Sequence, residues 1–134
     1  MNETDRDNKP SFSFVKEERL CSLKAIEALF ASGERFSAYP LFVVYRQAET
    51  SEGRASVLFS VSKKRFKRAI DRNRIKRLLR ESYRLNKPAF CQSLVAKGCA
   101  LHIAFVYIDH TLLEYRQIEA GMKKAMERII EQLI

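Results

Sequence analysis

Apolar residues recur at helical spacing near the end of the chain: Ile118, Met122, Ala125, Met126, Ile129 and Leu133. Steps of three and four residues predict one buried face of an amphipathic helix. Thr111 and Glu114 stand ahead of it at capping-box spacing. A shorter stripe of Leu23, Ile26, Leu29 and Phe30 predicts a helix from a Ser22 cap to about Ala31, with Gly33 as its stop. The period of two takes over at Leu41 to Arg46, whose β-branched and aromatic content predicts a strand with Pro40 at its first edge. Gln47 to Arg54 reads as a polar hairpin loop containing Gly53. Ala55 to Ser62 follows as a strand, with Val57, Phe59 and Val61 on one side and Ser56, Leu58, Ser60 and Ser62 on the other. Leu101 to Ile108 repeats the alternation, with Leu101, Ile103, Phe105 and Tyr107 on one side.

Between the last two strands the pattern changes. From Asp71 to about Asn86, Ile75, Leu78, Leu79, Ser82 and Leu85 share one helical face, and Asn73, Lys76, Arg77, Arg80 and Arg84 share the opposite one. Asp71 is placed to cap the free N–H groups at the start. Pro88 argues against simple continuation. Ala89 to Cys99 then reads as a short helical turn and loop ending at Gly98.

The predicted order is α-β-β-α-β-α, with three strands and room for a fourth. That is an α+β, two-layer α/β sandwich. Residues 1–13 are polar and read as a flexible tail, and residues 14–134 as one domain. No run approaches a membrane span and no apolar signal core opens the chain, which points to a cytoplasmic protein.

Charge sharpens the picture. Lys63 to Arg84 holds eleven bases and two acids, Asp71 and Glu81, for a net +9. The whole chain is also +9, so the remainder sums to zero. A solvated helix face mixes acids with bases at i,i+4; this one is nearly all cation, and like charges on one face favour a polyanionic partner. Nucleic acid is the first candidate. The binding residues are Lys63, Lys64, Arg65, Lys67, Arg68, Arg72, Asn73, Arg74, Lys76, Arg77, Arg80 and Arg84. Arginine can grip a phosphate with two N–H donors, and Arg72 and Arg74 fall in the helix's first turn, where anions are favoured. Charge alone fits a structured-RNA-binding or ribosome-associated protein, or a DNA-binding regulator using the basic helix in a major groove.

Cleavage chemistry finds little support. Asp71 reads as a cap, Glu81 is flanked by cations, Glu17 and Glu18 are adjacent, and Asp109 with His110 has no third partner. Cys21, Cys91 and Cys99 lack C-x-x-C spacing, and His102 and His110 complete no zinc pattern, so reduced thiols and no protein-only metal site are expected.

Ser60-Val61-Ser62-Lys63-Lys64, followed by Arg72-Asn73-Arg74-Ile75-Lys76-Arg77-Leu78-Leu79-Arg80-Glu81, closely resembles the signature of the bacterial ribonuclease P protein component. The resemblance extends, more weakly, over roughly Phe14 to the C-terminus. It implies a left-handed β-α-β crossover around the cationic helix, against the usual right-handed rule. It implies a subunit that assists removal of the 5′ leader from precursor tRNA, with the cleavage performed by a catalytic RNA and Mg²⁺ held mainly by that RNA. The partners implied are the catalytic RNA and precursor tRNA, with no membrane and no protein partner. The Arg-Asn-Arg region, Arg72 to Arg74 and on to Arg80, would contact the RNA. A cleft between the first helix and the sheet would hold the leader, through Arg19, Ile26, Phe30, Tyr45, Ser60, Ser62 and Lys64. Two features depart from the family pattern. Ile26 replaces a usual aromatic, and Arg65 to Ala69 makes a longer, more basic loop than the usual Gly-Asn-Ala-type turn.

Overall fold

The computed structural model describes residues 19–48, apart from Cys21, and 55–133. The predicted tail, most of the 47–54 loop and Cys21 lie outside the described residues. Among the described residues the order is α1 (Leu23–Ser32), β1 (Glu34–Ala38), β2 (Leu41–Gln47), β3 (Ala55–Val61), α2 (Ala69–Lys97), β4 (Leu101–Tyr107) and α3 (Tyr115–Gln132).

The four strands form one mixed sheet in the order β1-β2-β4-β3. β1 pairs antiparallel with β2, β2 antiparallel with β4, and β3 parallel with β4. The predicted hairpin between β2 and β3 is therefore corrected: β4 lies between them. β4 is apolar on both faces, with Ile103 and Phe105 on one and Ala104 on the other, all fully buried. Such a strand belongs in the middle of a sheet. The hairpin actually present joins β1 to β2 through Tyr39 and a cis Pro40. β3 reaches its parallel neighbour by the crossover β3-α2-β4.

The main core lies between the sheet and α2 with α3. Leu41, Val43, Val57, Ile103, Phe105 and Tyr107 meet Ile75, Leu79, Tyr83, Phe90 and Leu94 of α2 and the full predicted stripe of α3. This is the two-layer sandwich. α1 adds a partial cover on the other sheet face, where Leu20, Leu29, Val44 and Ala104 form a smaller cluster.

α2 is longer than its sequence pattern suggests. Arg68 is its N-cap and makes no side-chain capping bond; Asp71 sits inside the first turn, where its charge still opposes the positive helix end. The helix passes through Pro88 and ends at Gly98, whose left-handed backbone (φ 66°) lets its N–H reach the carbonyls of Leu94 and Val95. A mid-helix proline costs about 3 kcal/mol. Burying Phe90 and Leu94, two and six residues later, returns roughly 1.5–3 kcal/mol each, enough to keep the helix going.

Two other local expectations change. Glu114, not Thr111, caps α3, in a reciprocal box with Gln117. Thr111 is captured by Asp109, which accepts from its N–H (2.7 Å) and its hydroxyl (2.6 Å). Gly33 ends α1 in an extended conformation, so glycine serves there for space: a Cβ would stand 2.5 Å from the Leu29 carbonyl oxygen and 2.8 Å from Val44 Cγ1.

Candidate nucleic-acid interface

β3 runs directly into a basic turn. The Ser62 carbonyl accepts from the N–H groups of Arg65 (3.3 Å) and Phe66 (3.1 Å), and its hydroxyl oxygen accepts from the Lys64 N–H (3.0 Å). Phe66 is the anchor: it is buried, with its ring 5.9 Å from that of Tyr107. Lys63, Lys64, Lys67 and Arg68 are left exposed around it. On α2, Asn73, Arg74, Arg77 and Arg80 are exposed, while Lys76 and Arg84 are half-buried.

Arg84 binds Glu81 at 2.6 Å, which lowers the Glu81 carboxyl below its usual range. Among the described residues it is the one cation of the stretch paired with a carboxylate. Two other arginines are engaged internally. Arg72 Nη1 donates to the carbonyls of Phe66 (2.8 Å) and Lys67 (2.9 Å). Arg65 Nη1 donates to the Ile108 carbonyl (2.6 Å) and lies 3.1 Å from His110 Nε2. The buried stripe is also rotated from its predicted position. Leu85 is 42% exposed and Tyr83 fully buried, because the larger aromatic takes the core.

The second predicted surface lies on the α1 face of the sheet. Among the described residues α1 packs on β2 and β4 and makes no contact with β3. Ile26 and Phe30 are half-buried there and, like Phe42 and Leu58, pack against the cluster of Leu20, Leu29, Val44 and Ala104. Ser60 shares the face of Leu58 by strand alternation, and Ser62 and Lys64 continue beyond the strand end. Arg19 is exposed and bridges Val57 on β3.

Tyr45 does not belong to this group. It points into the main core, stacks edge-on against Phe36 and donates to Gln132 Oε1 at 2.6 Å. Alternation with Leu41 and Val43 carries it to the face opposite Phe30. The same alternation, counted from Val43, identifies the residues that were overlooked: Phe42, Arg46 and His102 are on the α1 face. Register places Arg46, His102 and Ser56 side by side across β2, β4 and β3. Burial, with Arg46 beside it, holds the His102 imidazole below its ordinary pKa.

The family model for Ribonuclease P matches residues 14–130. The chain belongs to the ribonuclease P protein family. It is 43% identical over 121 residues to the ribonuclease P protein component of Porphyromonas gingivalis W83, covering 90% of this chain and 88% of that one. It is 42% identical over 91 residues to that of Chlorobaculum tepidum, covering 62% and 59%. The fold is shared with the Staphylococcus aureus RNase P protein at 19% identity, with a TM-score of 0.67 over 87% of this chain and 96% of that one. The Thermotoga maritima RNase P protein gives 0.65 at 18% identity, over 83% and 96%. At those identities the ribonuclease P structures speak to fold alone.

Proposed function

We propose that this chain is the protein subunit of a cytoplasmic ribonuclease P, binding the catalytic RNA through its basic turn and α2 and assisting removal of the precursor tRNA 5′ leader. The observation that carries this reading is the carboxylate-free cation cluster on rigid backbone: Lys63, Lys64, Lys67, Arg68, Arg74, Arg77 and Arg80 are exposed, and among the described residues no acid neutralises them. Cations held by a packed helix meet phosphates without first being ordered, which lowers the cost of binding.

The leader would lie in the groove beside α1, over the face of β3 that α1 does not contact. Phe30 and Ile26 offer flat or apolar contact there, and Arg19, Ser60, Ser62 and Lys64 offer polar contact, with Phe42, Arg46 and His102 in place of Tyr45. Stacking plus a basic rim holds single strands without reading much sequence. Bond cleavage falls to the RNA. Among the described residues no three His, Cys, Asp or Glu side chains gather into a metal-binding group. Mg²⁺ would be held mainly by the RNA partner, and no step is assigned to a metal bound by this chain.

The test is reconstitution. Purified protein added to the cognate catalytic RNA should lower the Mg²⁺ concentration needed for 5′ processing of precursor tRNA. No effect at any Mg²⁺ concentration removes the reading. Equal affinity for unrelated structured RNAs, with no preference for leader-bearing tRNA, would favour a general RNA-binding protein instead.

A further inference from the structure

Two arginines inside the basic stretch are spent on the protein itself. Arg72 reaches back from the first turn of α2 and places one nitrogen, Nη1, between the carbonyls of Phe66 and Lys67. That nitrogen has two hydrogens, and both are committed. The end-on fork of Nη1 with Nη2 is lost to a phosphate, which leaves only the side-on pair of Nε and Nη2. Arg65 points the other way and ties the turn to the segment after β4, through the Ile108 carbonyl and His110. Both residues are half-buried, whereas their basic neighbours are exposed. Phe66, buried against Tyr107, pins the turn from below.

We infer that Arg65 and Arg72 are positioning residues: they clasp the 62–68 turn from two sides so that Lys63, Lys64, Lys67 and Arg68 present a fixed pattern of charge. The inference rests on the RNA-binding reading above and divides its cations into two kinds. Carbonyls ahead of a helix lack the ladder partners that helical carbonyls have. The turn therefore needs donors from elsewhere, and arginine supplies several on a long, planar head. Four like charges on a short turn repel one another, so without the clasp the turn would spread over many shapes. Each bound complex would then have to order it again.

The experiment compares Arg72→Gln and Arg65→Gln with Arg74→Gln, using the full chain and transcribed catalytic RNA of ribonuclease P from the same source. Three quantities are read: amide exchange at residues 62–68 in the free protein, affinity at one salt concentration, and the slope of log affinity against log salt. Circular dichroism at the assay temperature selects folded variants, and two independent clasp variants guard against one failing to fold. Arg74→Gln should make the slope shallower by about 0.7–0.9 and leave exchange at 62–68 unchanged. Arg72→Gln and Arg65→Gln should speed that exchange and lower affinity by about tenfold, with the slope retained. Arg72→Lys, which keeps the charge but not the two-carbonyl reach, should resemble Arg72→Gln in exchange.

Slope loss in Arg72→Gln equal to that of Arg74→Gln, with exchange unchanged, overturns the clasp and leaves the RNA-binding reading standing. Faster exchange in the clasp variants, with RNA affinity unmoved in all three, overturns the RNA-binding surface itself.

Discussion

Raising the salt concentration is the most direct perturbation of the proposed interface. Among the described residues, seven cations of the basic stretch are exposed and have no carboxylate partner: Lys63, Lys64, Lys67, Arg68, Arg74, Arg77 and Arg80. Each phosphate neutralised releases condensed counterion, contributing about 0.7–0.9 to the slope of log affinity against log salt. Seven contacts give a slope of about −5 to −6, so a fourfold rise from 50 to 200 mM should weaken binding by about 10³- to 10⁴-fold. Arg65, Arg72 and Arg84 are left out because their side chains already bind protein atoms. Including all three would steepen the slope to about −7 to −9. Fluorescence anisotropy with labelled catalytic RNA, at fixed Mg²⁺ and varied monovalent salt, separates the two counts. A slope shallower than about −2 refutes the interface outright. A slope near −9 refutes the assignment of the three arginines to internal roles.

Other expectations concern the frame that holds this surface. Gly121→Ala should destabilise the protein, because a Cβ there would stand 2.6 Å from both Tyr39 O and Pro40 Cδ. Overpacking costs about 1–3 kcal/mol against a helix-propensity gain of up to about 1, and at roughly 3–4 °C per kcal/mol for a chain of this size Tm should fall by a few degrees; a raised Tm refutes the close approach. Tyr45→Phe removes the bond to Gln132 and should cost about 1 kcal/mol of stability in urea unfolding without altering affinity for leader-bearing precursor tRNA; weaker leader binding would return Tyr45 to the groove. Asp109 is held down at about 2 by the Thr111 and Tyr39 hydroxyls and the Thr111 N–H. Its folded pKa lies below the unfolded value of 3.8, so its stabilisation is present above about pH 4 and disappears as pH falls towards 2. The gap in urea midpoint between wild type and Asp109→Asn should therefore narrow from pH 5 to pH 2, and a constant gap would contradict the assignment.

Which of these features could be read before the fold was known depends on how local their cause is. The α3 stripe needs only its own period, and every one of its six predicted positions is buried. The charge of α2 is equally local. β1 is not: in ERFSA only Phe36 and Ala38 face inward, too few for a signal without the partner strand. The place of β4 between β2 and β3 is a long-range pairing, and a polar stretch between two strands looks like a hairpin loop whichever strand fills the gap. Pro88 obeys a local rule that burial of Phe90 and Leu94 outweighs. Tyr45 is a different case. Its alternation with Leu41 and Val43 places it on the core face, whereas the family resemblance alone assigns it to the leader cleft.

The same reasoning explains how a surface of unbalanced cations can be tolerated. Repulsion along α2 is opposed from its other side, where Ile75, Leu79 and Tyr83 are almost wholly removed from water. Each such side chain contributes roughly 1.5–3 kcal/mol of burial, several times the few tenths lost per like-charge pair on a helix. The helix thus holds its charge pattern through core packing, with no need of neutralising acids. The non-helical turn before it has only Phe66 as a core anchor, which is where Arg65 and Arg72 add hydrogen bonds. Rigidity of the two halves of the interface therefore has separate sources. Trimming Leu79 should loosen the helix and the whole fold together, whereas removing Arg72 should loosen the turn and leave the helix in place.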